Sequence, residues 1–263
     1  MKRTTYILLG VLILGALGII SSIAYIGTHG ADKSPYEILI KGQAKTVSLP
    51  NSRKIVFEQE CDSDLSILVN SKVEITQAKE NEKASITYPE GWDEYLTVVP
   101  TDTAIIVKIK INKDSKDHDK WHYREFTSEK PIKIILSQMS SVIANNISME
   151  LDINNYNAES LTVFSTHQVT FNQVNVTDLK IIGDGFQMKS GSAKNLYVNI
   201  GEGSWAVTPG KFAVDTEYLT GGTESTDLEL NKGECNKIVY TPTDKESSMS
   251  IKINQPAVIT MTK

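Results

Sequence analysis

The sequence predicts an all-β protein: a short-rung β-solenoid, β-helix-like, with an N-terminal antiparallel β layer, preceded by one transmembrane or signal helix. Three observations carry this. A short unit with fixed apolar anchors recurs between Ile153 and Tyr240, period-two alternation marks the segments before it, and one long apolar run stands at the amino terminus.

The apolar run extends from Tyr6 to about Ile26, after Lys2 and Arg3, and the next charge is Asp32. A helix needs ~20 such residues to span a bilayer. The basic amino end predicts a cytoplasmic amino terminus and an exported body. Two outcomes share this pattern: an uncleaved anchor in the inner membrane, or a secretory signal cut after Ser22-Ile-Ala24. The run is longer than a usual signal core of ~7 to 15 residues, which favours the anchor. Either outcome places the body in the periplasm or outside the cell. Residues 1–30 are therefore read as anchor or signal, 31–130 as a capping β region and 131–263 as the repeat.

In the amino half, Val73-Glu-Ile75 and the alternating stretch Ile105 to Ile111 read as strands, punctuated by turns such as Tyr88-Pro-Glu-Gly91. This half lacks a clean repeat, and its hairpin-like separations predict an antiparallel layer over the first rung. A cap is needed there, because an open end exposes apolar core and unpaired backbone.

From Pro131 onward the repeat sets the register. Ile153-Asn-Asn-Tyr-Asn-Ala-Glu-Ser-Leu161-Thr-Val163 superimposes on Phe171-Asn-Gln-Val-Asn-Val-Thr-Asp-Leu179-Lys-Ile181 at a spacing of 18. Met188 to Val198 follows at 17, and a later copy runs from Leu230 to Tyr240. Val142 and Ala144 fit 19 residues ahead of Leu161 and Val163, and each rung is expected to hold two short strands. After Leu196 the pattern loosens, with Val214-Asp-Thr216 as a continuation. A unit this short cannot enclose its own apolar face, so its copies must stack on a shared core.

Composition bounds the function. With 40% hydrophobic and 22% charged residues in 263, a normal core is available, while a net charge of -5 without a basic stripe argues against a nucleic-acid partner. No phosphate loop, G-x-S-x-G elbow, H-E-x-x-H pair or Cys ligand cluster is present.

Four constellations are candidates for chemistry. Asp184 and Glu202 lie in equivalent turns, where carboxylates one strand spacing apart (~4.8 Å) would suit Ca²⁺ or sugar hydrolysis, although flanking glycines mark tight solvated corners. His118 and His122 are four apart, with Asp114 or Asp119 able to complete a zinc site, in a segment that otherwise reads as a hairpin tip. Trp121 and Tyr123 offer an aromatic contact for a glycan or protein. Cys61 and Cys235 are the only thiols. A bridge is open to them in an exported protein, but Cys235 occupies the place of Ala158, Val176 and Ala193, a small buried position. Asn154, Asn172 and Asn231 at equivalent sites read as a polar ladder.

Two glycine corners, Ile182-Gly-Asp-Gly185-Phe186 and Ile200-Gly-Glu-Gly203-Ser204-Trp205, join a Leu-x-(Val/Ile) strand to the next. This pattern resembles the head GIN domain of exported bacterial proteins labelled auto-transporter adhesins, over about residues 38 to 263. In that family the corner is commonly Gly-Ser-Gly. Here Asp184 and Glu202 replace the serine, and Ser165-Thr-His-Gln168 replaces a whole corner. The resemblance implies a β-solenoid of the cell envelope and supplies no catalytic residue.

The expected function is thus a non-enzymatic, adhesin-like or structural binding module without cofactors, metal or catalytic residues, whose partner is an envelope protein or a glycan. The rivals are a carbohydrate-active β-helix enzyme and a membrane-anchored sensor or regulator.

Overall fold

The structure, a computed structural model, describes residues 14–23, 25, 37–61, 66–111, 123–144, 147–183, 185–199, 205–208, 210–221, 229–232, 235–243, 250–253 and 258–261. The chain divides into two compact units, Met1–Glu37 and Ile38–Lys263. In the first, residues 14–23 are helical, with Leu14, Leu17, Ile19, Ile20 and Ile23 all exposed. Among the described residues no helix is long and apolar enough to cross a membrane. The part of the apolar run from Tyr6 to residue 13 lies outside the description.

The second unit is all β. Its early strands are β1 (Glu37–Ile40), β2 (Ala44–Ser48), β3 (Lys54–Cys61), β4 (Ser66–Asn70), β5 (Lys72–Gln77) and β6 (Ser85–Pro89). After a 3-10 turn at Glu90–Trp92 come β7 (Leu96–Pro100), β8 (Ile105–Ile111), β9 (Tyr123–Ser128), β10 (Ile132–Leu136) and β11 (Ser141–Ala144). Three long strands follow, β12 (Glu150–Ser165), β13 (Val169–Gly183) and β14 (Phe186–Asn199). The last are β15 (Trp205–Val207), β16 (Phe212–Thr220), β17 (Glu229–Lys232), β18 (Cys235–Thr241), β19 (Ser250–Ile253) and β20 (Val258–Met261).

One curled sheet takes most of them, ordered β2-β6-β10-β5-β12-β13-β14-β16-β18-β20 with β15, β11, β3, β8 and β7 attached. The predicted register holds through its centre. Ile153 pairs with Phe171 and Leu161 with Leu179, and Leu179 in turn with Leu196, all in parallel. These inward positions are fully buried, so neighbouring strands share one apolar column, as the repeat requires.

Three expectations are corrected. Val142 pairs with Val163, and Ala144 with Ser165, a slip of two from the expected spacing. A slip of two keeps the same side chains facing inward, so alternation alone cannot detect it. The expected antiparallel layer is mostly parallel: β5 pairs in parallel with both β10 and β12, and β3 with both β8 and β11. Antiparallel pairing joins β2 with β6, β6 with β10 and β7 with β8. Period-two alternation is common to both pairings, which is why sequence could not separate them.

Each long strand also carries a short middle segment where only two strands per rung were expected. In β12 the inward phase moves from Leu151 and Ile153 to Tyr156, then to Leu161 and Val163. Asn155 and Gln173, at φ 51 and 56, sit level at the first of these bends. In β14 a glycine takes over nearby: Gly191 has φ +125, and a Cβ there would lie 1.9 Å from the Val174 carbonyl oxygen. Tyr156 anchors the bend in β12, its hydroxyl donating to the Met139 carbonyl and accepting from the Met139 N–H.

Candidate functional site

The sheet has two kinds of outer surface: a cleft near the start of β5 and a broad face along the second halves of the long strands. The cleft encloses about 640 Å³, lined by Asn70, Ser71, Lys72, Glu150 and His167 among others. Its cation is already engaged, with Lys72 Nζ 3.1 Å from Glu150 and 3.9 Å from Asp152. The hydrogen bond to Glu150, then the charge of Asp152, raise the Lys72 pKa above its ordinary value. Those neighbours make Lys72 part of a surface ion network.

The broad face is different. Val99, Ile106, Val56, Ile143, Phe164 and Ile182 stand level in adjacent strands, each pairing with the next. Their sequence neighbours Ile105, Ile55, Val142, Val163 and Ile181 point inward and are buried, so this second column points outward. Five of the six are half-buried and Val99 is 36% exposed, which makes an apolar stripe across the sheet. Beside it runs a column of Thr162, Lys180, Tyr197, Tyr218 and Val239. The Tyr197 and Tyr218 rings stack with centroids 4.8 Å apart and planes 11° apart, one strand spacing. Partial burial, then the charge of Asp178 and the neighbouring Tyr218, raise the Tyr197 pKa.

In the repeat, Lys180, Tyr197 and Val239 each follow an anchor, Leu179, Leu196 or Ile238, and so share an outward position, but the repeat does not reach Tyr218. The β16 rung has Glu217 where its sisters have Leu179, Leu196 and Ile238, so the leucine pattern that locates the other tyrosine is broken there.

A polar ladder exists, shifted from the expected one. Asn154 and Asn172 are level, but Asn231 lies in β17, which pairs with β19 instead. The ladder itself runs along the bend. Gln77 grips the Asn157 backbone through Nε2 to the carbonyl (3.2 Å) and Oε1 from the N–H (3.1 Å). Asn175 Nδ2 donates to Asn157 Oδ1 at 3.0 Å, and Ser192 Oγ to Asn175 Oδ1 at 3.1 Å. Side chains one rung apart thereby satisfy each other on an exposed corner.

Cys235 lies level with Val214, itself level with Ala193, in the small-residue column that contains Val176 and Ala158. It is a buried thiol, its Sγ donating to the Lys237 carbonyl at 3.0 Å. Cys61 ends β3, and its side chain is outside the description. Asp184, Glu202, Asp114, Asp119, His118, His122 and Trp121 all lie outside the described residues, and Tyr123 is described only as the first backbone position of β9. Among the described residues no three His, Cys, Asp or Glu side chains group as metal ligands would. The corner around Asp184 is visible on both sides: a Cβ on Gly183 would lie 1.8 Å from the Ser165 carbonyl oxygen, and Gly185 accepts from the Val169 N–H. The corner at Ser165 to Gln168 lies level without glycine, because Ser165 Oγ accepts from the His167 N–H and donates to its carbonyl.

No family model matches the chain, the head GIN domain included, and no curated protein matches it. Among solved structures, the chain is similar to a "putative adhesin" of Bacteroides fragilis, at 13% identity over 86% of this chain and 100% of that one, with a TM-score of 0.44. It is also similar to a "putative adhesin" of Parabacteroides merdae, at 12% identity over 86% and 99% with a TM-score of 0.42. A "putative lipid binding protein" of Parabacteroides distasonis follows, at 15% identity over 86% and 100% with a TM-score of 0.36.

Proposed function

We propose that this protein is an exported, non-catalytic binding module of the cell envelope, in which stacked rungs close as a short β-solenoid and an N-terminal helix holds the body at the inner membrane. One observation carries the reading: the in-register parallel stack repeats its outward side chains at strand spacing, so the apolar stripe and the tyrosine pair share one continuous face. A face on paired strands holds its groups at fixed separation and loses little entropy on contact. The anchor is supported by Lys2 and Arg3 ahead of the apolar run, and by an exposed helix with apolar residues on all sides.

The test is a full-length fusion to alkaline phosphatase at the carboxyl end, followed by fractionation with a carbonate wash. Enzyme activity that stays with the membrane is the expected result. An inactive fusion in the cytosolic fraction would sink export and anchoring together.

A further inference from the structure

We infer that the depression beside Tyr197 and Tyr218 is a subsite for an acidic saccharide, one sugar ring bearing a carboxylate; this rests on the binding-module reading and names its ligand. The depression encloses about 380 Å³, and its outward lining is Lys180, Ile182, Tyr197, Asn199, Tyr218 and Thr220. That volume falls within the ~300–1,000 Å³ of small-ligand sites. A sugar needs three kinds of contact, and each is present. The parallel tyrosine rings, together with Ile182, give the C–H faces of the ring an apolar wall with hydroxyls at its edge. Thr220 supplies a hydroxyl that both donates and accepts, matching the mixed polarity of sugar hydroxyls.

The charge selects among sugars. Among the described residues of the lining, Lys180 is the only charged one, and no carboxylate stands with it. The carboxylate whose charge reaches Tyr197, Asp178, lies outside the lining and accepts from Asn195 Nδ2 at 2.8 Å. An ammonium without a lining counter-charge fits an anionic group on the ligand and makes a charge-assisted bond to it. Among the described residues this lining holds no acid–base carboxylate pair, so the inferred site holds the sugar without cleaving it.

The experiment uses the full-length protein in detergent on an array that pairs uronic-acid and sialic-acid oligosaccharides with their neutral counterparts. Retention of an acidic member over its neutral counterpart is expected. Lys180→Glu should cut that retention at least tenfold and Lys180→Arg preserve it, while Lys79→Glu, the same charge change on a distant loop, leaves it intact. Tyr197→Ala and Tyr218→Ala should each weaken it. Melting curves identify any variant that fails to fold, and the exposed Lys180 variants then decide alone. Equal retention of neutral sugars, an unaffected Lys180→Glu, or no retained saccharide overturns the inference. If no saccharide is retained but a protein ligand is captured and lost with Phe164→Lys on the neighbouring stripe, the saccharide falls and the binding module stands.

Discussion

The rungs carried by β12 to β14 and the rung carried by β16 occupy one ladder, yet they are built on different rules. In the first group one inward column holds a single kind of side chain: Leu161, Leu179 and Leu196 are level and fully buried. In β16 the same column holds Glu217, buried to 0% exposure between Leu196 and Ile238. The backbone register survives the exchange. Ladder hydrogen bonds and the flanking Val214 and Leu219 therefore hold β16 in line, and no single column is indispensable for register.

That contrast can be broken most sharply in the regular rungs. Leu179→Ala empties a fully buried column position flanked on both sides, and should lower stability by about 2–5 kcal/mol in a denaturant melt. Loss of less than ~1 kcal/mol would mean that the columns are not close-packed. Gly191→Ala comes next. Its Cβ would meet the Val174 carbonyl oxygen at 1.9 Å in a backbone conformation that favours glycine, so a loss of about 1–3 kcal/mol is expected, with β13 and β14 separating locally in hydrogen exchange. Glu217→Leu, by contrast, restores the regular column. It should raise the melting temperature, by the equivalent of ~1 kcal/mol, because a buried carboxyl costs more to desolvate than leucine. A fall would show that Glu217 is needed for its local contacts.

Tyr156 gives a pH-dependent test at the bend of β12. Burial raises its pKa above the ordinary 10.0, against a smaller opposing effect of the Met139 backbone hydrogen bond. The folded state therefore prefers the protonated phenol. Its contribution is fully present below the unfolded pKa and is lost as pH rises through the folded one, when the donor to the Met139 carbonyl disappears. Wild type should lose stability above about pH 10, and Tyr156→Phe should flatten that limb while costing ~1 kcal/mol at neutral pH. Smallest of all, Asn175→Ala should cost about 0.5 kcal/mol, since it breaks two exposed ladder bonds that water replaces.

The same contrast explains what the sequence revealed. Repeats with conserved chemistry at each anchor, such as Leu161, Leu179 and Leu196, announce both strand and register, and they placed Cys235 in its column as well. Where one anchor changes class, as at Glu217, only Val214-Asp-Thr216 keeps the rung in the pattern, and Tyr218, one half of the tyrosine pair, drops out of it. The apolar stripe was hidden for another reason. It takes one residue from each of β7, β8, β3, β11, β12 and β13, and the β7–β8 hairpin and β3 are brought beside β11 only by the non-local pairings of β8 with β3 and β3 with β11. A single Ile or Phe within a strand is indistinguishable from an ordinary alternation until its neighbours in space are known. The bend escaped notice because Asn155 and Gln173 adopt positive φ without glycine.

The central claim is binding through a rigid outer face without turnover. It is tested most directly by incubating the full-length protein with a panel of envelope polysaccharides and proteins, measuring retained ligand and released reducing ends in the same samples. Saturable retention that Tyr197→Ala or Phe164→Lys diminishes, with no reducing ends above background, is expected. Reducing ends that accumulate in proportion to protein and time would contradict it.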